Sequence, residues 1–142
     1  MPVSDLTLRP TRPVWPAMLN GMRCRCPNCG EGKLFSRYLK VADTCDVCGT
    51  ELFHHRADDV PPYIVITIVG HIAVGVLLHM EMSTTPLHPL TYLWTMLPLI
   101  VISSLILLPI VKGATVGFQW SRYMHGFDPT GAHDEIEDDE RT

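Results

Sequence analysis

The chain alternates between long apolar runs and shorter polar stretches broken by Pro, Gly and Cys. Residues 63–82 read YIVITIVGHIAVGVLLHMEM, with no charge before Glu81, and residues 90–111 read LTYLWTMLPLIVISSLILLPIV, with none. An apolar run of about 20 residues spans the hydrocarbon core of a bilayer as a helix. Helix is predicted because it satisfies every backbone N–H and C=O without water. The link between the runs, roughly Ser83–Pro89, is short, so the two helices should form an antiparallel hairpin. Ahead of them the apolar residues come in small groups: Leu34, Phe35, Tyr38 and Leu39, then Leu52 and Phe53. Their spacing suits a short helix or two twisted strands alike, with little regular structure, and a small cluster that is either a core or a partner surface.

The predicted fold is a membrane all-α hairpin of two transmembrane helices, about 63–82 and 90–111, with a small N-terminal zinc-ribbon-like head. Residues 1–22, with Pro2, Pro10, Pro13 and Pro16, read as a flexible tail whose Trp15, Met18, Leu19 and Met22 can rest on the head or the membrane. Residues 23–57 are the head, and 58–125 the hairpin with an interfacial continuation. Residues 126–142 are an acidic disordered tail ending DEIEDDERT, six acidic residues against one Arg. The first twenty residues carry no apolar core of a signal peptide.

The spans consume over forty of the 142 residues, and what remains cannot bury a large soluble core. A head this small needs a staple. Cys26-Pro-Asn-Cys29-Gly30 and Cys45-Asp-Val-Cys48-Gly49 provide one, in the pattern C-x2-C, fifteen residues, C-x2-C. Two such turns bring four thiolates to one tetrahedral Zn²⁺, and the Gly after each turn tolerates φ > 0 at little cost. Structural Zn²⁺ on Cys26, Cys29, Cys45 and Cys48 is the expectation, with two disulfides as the alternative. Cys24 is a fifth thiol: a spare, a redox-sensitive group, or a ligand that exchanges with Cys26.

Charge sets the orientation. Arg9, Arg12, Arg23, Arg25, Lys33, Arg37, Lys40 and Arg56 precede the first span, the link has no Lys or Arg, and Lys112 and Arg122 follow the second span. Positive residues stay on the cytoplasmic side. Both termini and the head are therefore expected in the cytoplasm, where thiols persist as metal ligands rather than disulfides.

Further candidates lie at the ends and middle of the spans. In HHRADDVPPY, Asp58 or Asp59 suits a helix N-cap with Pro61 and Pro62 in the first turn. The alternative is a second metal or proton-transfer site from His54, His55, Asp58 and Asp59. His71 lies inside the first span, where a polar ring faces a partner helix or a watery cleft. It either bonds Ser103, Ser104 or a partner subunit, or ligates haem or copper. His79 sits about 80° further round the helix, and with Met80, Glu81, Met82 and His88 it gathers donors that suit copper. Past the second span Pro109 can kink the exit, Lys112 should snorkel to the interface, and Gly113 and Gly117 permit a close helix contact. Phe118, Trp120, Arg122 and Tyr123 suit an aromatic belt on a continuing or interfacial helix.

CPNCGEGKLF, the second CxxCG, HRADDVPPYIVI, the intramembrane Gly-His pair, LLPIVKGA and QWSRYMHGF together resemble a bacterial family known as domain of unknown function 983, over about Cys24–Phe127. The resemblance implies two spans and a zinc-ribbon-like head. In alphaproteobacteria such genes resemble members of cytochrome c oxidase clusters, beside assembly-factor genes.

Other classes find little support. No open-position metal motif, nucleophile elbow or phosphate loop is present, and four cysteines leave a zinc no site for water. The first 57 residues carry eight Lys and Arg against five Asp and Glu, a weak footprint for nucleic acid that topology also explains. The expected partners are the lipid bilayer and a larger membrane protein complex, with a second copy of the chain also open. The expected role is a non-catalytic accessory or assembly protein of a respiratory complex in the inner membrane. The alternative is a copper or haem handling protein that uses the membrane histidines.

Overall fold

The computed structural model describes residues 11–54, 60–82, 88–124 and 126–127. Along the chain come α1 (Val14–Met22), β1 (Phe35–Arg37), β2 (Lys40–Val41), α2 (Val60–Glu81) and α3 (Pro89–Ser121). The strands pair antiparallel with Phe35 opposite Val41, so the spacer between the cysteine pairs is a hairpin rather than a helix.

Helix α2 begins at Val60, which places Pro61 and Pro62 in the first turn, where a missing N–H costs nothing. The proposed caps Asp58 and Asp59 lie outside the described residues. At 22 residues α2 is about 33 Å long, close to the roughly 30 Å hydrocarbon core. Helix α3 starts behind His88, whose Nδ1 accepts from the Leu90 N–H at 3.3 Å, so His88 caps the helix. It runs unbroken for 33 residues, about 50 Å, and so overshoots a bilayer core by about 20 Å. The continuation past the second span is thus the same helix.

Both helices are long and apolar enough to cross a membrane. They pack on each other, burying Val65 and Val69, while Ile66, Val74, Leu93, Trp94, Ile102 and Ile106 each stand more than half exposed. The hydroxyls of Thr67, Thr95 and Ser103 donate to the carbonyls of Tyr63, Thr91 and Leu99, four residues back on their own helices. Hydroxyls that close on their own helix in this way need no water.

The N-terminal segment departs from the sequence expectation. Val14–Met22 is a helix, not part of a flexible tail, and it lies across the overshoot of α3. Small residues meet at the crossing. A Cβ on Gly21 would sit 2.0 Å from the Gly113 carbonyl oxygen, and one on Gly117 would sit 2.4 Å from that of Ala17. Ala17-x-x-x-Gly21 and Gly113-x-x-x-Gly117 therefore bring two backbones into contact. Nine residues are too few for a stable isolated helix, so tertiary contact holds α1, and Pro16 is tolerated in its donor-free first turn.

One buried cluster joins the parts. Leu34, Val41, Leu52, Cys26 and Cys45 of the head pack with Ala17 of α1, Val116 and Trp120 of α3, and Phe127. The head is built onto the overshoot rather than hung beside it. Tyr38 and Phe53, expected in the head's cluster, are more than half exposed. Trp120 and Tyr123, expected in an aromatic belt, are buried beneath Arg12. The guanidinium of Arg12 lies 4.3 and 4.0 Å from their ring centres and donates to the Trp120 carbonyl at 2.8 Å. Phe127 is also buried, so the packed chain runs past the expected start of the acidic tail at 126.

The head also touches the span itself. Pro109 has no N–H, which leaves the Leu105 carbonyl without its usual helical donor. The Tyr38 hydroxyl, from the hairpin tip, donates to that carbonyl at 2.7 Å.

Candidate metal centre

The two cysteine turns have the same local geometry. The Gly30 N–H donates to the Cys26 carbonyl at 2.9 Å, and the Gly49 N–H to the Cys45 carbonyl at 3.0 Å. Gly30 and Gly49 take φ of +72° and +70°, the left-handed conformation that glycine adopts at little cost. Backbone bonds close the neck of each turn: Cys26 N–H to the Gly32 carbonyl at 2.8 Å, and Cys45 N–H to the Thr50 carbonyl at 2.9 Å.

These turns face each other and bring together the four cysteines named from the sequence. Their sulfurs all lie within 4.8 Å of one another. Cys26 and Cys48 are 3.7 Å apart, and Cys29 and Cys45 3.8 Å. A tetrahedral site with metal–sulfur bonds of about 2.3 Å has sulfur–sulfur edges of about 3.8 Å, so the cluster has the dimensions of such a site. All five cysteines are free thiols, and the disulfide alternative is not formed.

Polar neighbours orient the sulfurs. The Gly32 N–H donates to Cys29 Sγ at 3.5 Å. The Asn28 amide donates to Cys48 Sγ at 3.7 Å and to the Thr50 hydroxyl at 2.8 Å, and that hydroxyl is 3.1 Å from Cys48 Sγ. Burial alone would raise the Cys48 thiol. Hydrogen bonds from the Thr50 hydroxyl and backbone, with help from the Cys45 and Cys29 thiols, outweigh it and bring Cys48 down to about 6. Cys26 goes the other way: burial drives it well above the usual thiol range, and the backbone bonds at Cys29 and Asn28 only partly offset this. The outer sulfur of the cluster thus ionises readily and the inner one reluctantly. A bound dication would favour all four thiolates at once.

Three residues that the sequence reading did not single out belong to the site. Asn28 and Thr50 hold Cys48, and Gly32 makes room for Cys45, since a Cβ there would lie 2.3 Å from the Cys45 sulfur. The signals were the second Gly of Cys-Gly-Glu-Gly and the Thr after the second turn.

The other candidates are not drawn in. Cys24 lies outside the four-sulfur group, half-buried, with φ of +58°. Its N–H donates to the Gly21 carbonyl at 2.8 Å and its own carbonyl accepts from the Leu34 N–H at 3.0 Å, so it joins α1 to the head. Burial raises its thiol, which disfavours a reactive thiolate. His54 pairs with Glu51 at 3.1 Å and lies against Phe53 and Phe127. His55, Asp58 and Asp59 lie outside the described residues. His71 is exposed on α2, and its Nδ1 donates to the Thr67 carbonyl at 2.7 Å, so the expected bond to Ser103 or Ser104 is not made. His79 is likewise exposed on α2. Among the described residues, the four cysteines are the group of His, Cys, Asp or Glu arranged to hold a metal ion.

A family model described as a protein of unknown function (DUF983) matches residues 35–120. The match is shorter than the resemblance read from the motifs: it takes in Cys45, Cys48, α2 and α3 but for its last residue, and it starts after the first cysteine turn. No curated protein and no solved structure matches the chain.

Proposed function

The chain belongs to the DUF983 family, and we propose that it is a non-catalytic accessory protein of a larger complex in a bacterial inner membrane. Its zinc-stapled head serves as the docking module on the cytoplasmic side. The observation that carries this reading is the buried cluster shared by the head, α1 and the overshoot of α3. Such a cluster holds a small rigid surface at a set height over the bilayer, above two helices whose apolar flanks stay exposed. Zinc bound there supplies cross-linking of the fold, because four thiolates leave no position for water or substrate. The reducing cytoplasm and the Lys and Arg bias before the first span support that side for the head. The gene-cluster resemblance makes cytochrome c oxidase the partner to test. Deleting the gene should lower assembled oxidase, read from haem spectra of membranes, with transcription of the oxidase genes unchanged. Unchanged oxidase level and activity in the deletion strain would remove the respiratory assignment.

A second reading, membrane metal or haem handling, draws support from His71. The Thr67 carbonyl occupies Nδ1 and leaves Nε2 to ligate, as in many metal-bound histidines. It replaces docking if His71→Ala reproduces the deletion and head variants do not.

A further inference from the structure

The tip of the head's hairpin is fixed at one height on α3. The Tyr38 hydroxyl donates to the Leu105 carbonyl at 2.7 Å. Leu105 stands well inside the apolar run 90–111, about 9 Å along the helix axis from its end at Val111. The contact is made on an outward flank of the helix, where Ile102, Leu105 and Ile106 are each more than half exposed. Tyr38 is more than half exposed as well, held by its hydroxyl with most of its surface uncovered. The turn itself departs from ordinary turn chemistry. Leu39 holds φ of +60°, a conformation that aliphatic residues rarely adopt, so a leucine stands where glycine or asparagine is usual. The Ser36 hydroxyl donates to the Lys40 carbonyl at 3.3 Å. With Tyr38 on Leu105, the hydroxyls of the turn are bonded within the protein, as polar groups away from water must be. Arg37 and Lys40 flank the turn and are exposed. Long cationic side chains lay their stems on apolar surface and carry their charge back to water.

We propose that the hairpin tip is inserted into the cytoplasmic leaflet, with Tyr38 and Leu39 against lipid acyl chains just beneath the headgroups. Continuity names the occupant of this surface: a tip bonded to the outward flank of a membrane span shares that span's surroundings. Tyrosine, with an apolar ring and a polar end, suits this level of a bilayer. The hairpin is then a third membrane contact beside the two helices. It stops the head from turning about the axis of α3, so the same face of the head is always offered to a docking partner. The inference rests on the reading that α3 spans the membrane with the head at its cytoplasmic end.

The test uses the full chain, metal-loaded, in vesicles of phosphatidylcholine and phosphatidylglycerol, with a photoreactive p-benzoylphenylalanine placed at one position at a time. Irradiation joins the benzophenone to a neighbouring C–H bond, and the mass of the intact chain reads the adduct. Leu39→p-benzoylphenylalanine should gain a phospholipid. So should Tyr38→p-benzoylphenylalanine, which answers the question if the change at Leu39 disturbs the turn. Unchanged metal content checks that the head is folded. Ile106, exposed on the span, is the position that must react with lipid. Trp15 is the position that must not. It is exposed too, but α1 climbs away from the membrane, from Gly21 at Gly113 to Ala17 at Gly117. Gly117 is about 18 Å above Leu105, and Trp15 lies beyond it. No lipid adduct at either tip position, with Ile106 labelled, would overturn this inference alone. A crosslink from the tip to a second copy of the chain in place of lipid would also overturn it. Equal lipid labelling at Trp15 would overturn the depth drawn from Tyr38. Absence of lipid at Ile106 would remove the membrane reading itself, and this inference with it.

Discussion

The sulfurs of Cys29, Cys45 and Cys48 each depend on a small or short polar neighbour, Gly32 for the first two and Asn28 with Thr50 for the third, and the cluster and these neighbours make the residue-scale predictions. Purified protein should carry about one metal ion per chain on Cys26, Cys29, Cys45 and Cys48. Changing any one of them to Ser should abolish stoichiometric binding, measured by elemental analysis, while Cys24→Ser should retain it. Full metal content in Cys45→Ser would overturn the four-ligand assignment. The Thr50 hydroxyl lowers the Cys48 thiol. Protons compete with metal for a thiolate, so metal leaves as pH falls, later for a thiol of lowered pKa. Thr50→Val should return Cys48 toward the ordinary range and move the release midpoint to higher pH, followed through the thiolate absorption of the cobalt-substituted protein. An unmoved midpoint would show that the hydroxyl does not control this sulfur.

At the scale of elements, the junction of the hairpin tip with α3 joins two residues that the sequence presents separately. Pro109 removes the donor for the Leu105 carbonyl, and Tyr38 replaces it. Leu105 faces outward on an apolar helix, and a carbonyl left without a donor in hydrocarbon or a detergent micelle, away from water, costs about 1–3 kcal/mol. Tyr38→Phe should therefore destabilise the detergent-solubilised protein by about that amount. In a Pro109→Ala background the new N–H serves the carbonyl, and the same change should be nearly neutral. A double-mutant cycle by denaturant unfolding checks this, and equal losses in both backgrounds would disprove the coupling. The pairing was not legible in the sequence, because Tyr38 reads as part of a head core and Pro109 as a kink.

For the whole molecule, the shared cluster makes the head and the upper third of α3 one cooperative unit. Cys26 and Cys45 lie in the same cluster as Val116 and Trp120. Structural zinc contributes about 10–16 kcal/mol of apparent folding free energy in small domains. Removing the metal with a chelator should therefore loosen α1 and residues 113–121 together with the head, while the middle of α2 and α3 stays protected. Hydrogen exchange by mass spectrometry reads this directly. Faster exchange confined to residues 24–52 would show that the head folds independently of the helix.

The sequence alone determined the two long apolar helices and the four-cysteine group, because each rests on local information. A run of about 20 apolar residues has one good conformation in a bilayer, and C-x-x-C-Gly encodes its own turn through a left-handed glycine. Composition also led to the expectation of a loose N-terminal tail over residues 1–22, and over Val14–Met22 local information misled, whereas residues 1–10 and the acidic tail from 128 onward lie outside the described residues. Nine residues with an internal proline do not make a helix by themselves, and Trp120 and Tyr123 look alike whether they face lipid headgroups or a core. Tertiary structure decided these points by bringing together residues far apart in the chain. Arg12 meets the Trp120 carbonyl across 108 positions, and Tyr38 meets that of Leu105 across 67. Gly21 meets Gly113 because neither has a side chain to keep the backbones apart. Contacts of this kind depend on which surfaces the fold presents to one another, and hydrophobic periodicity does not encode that.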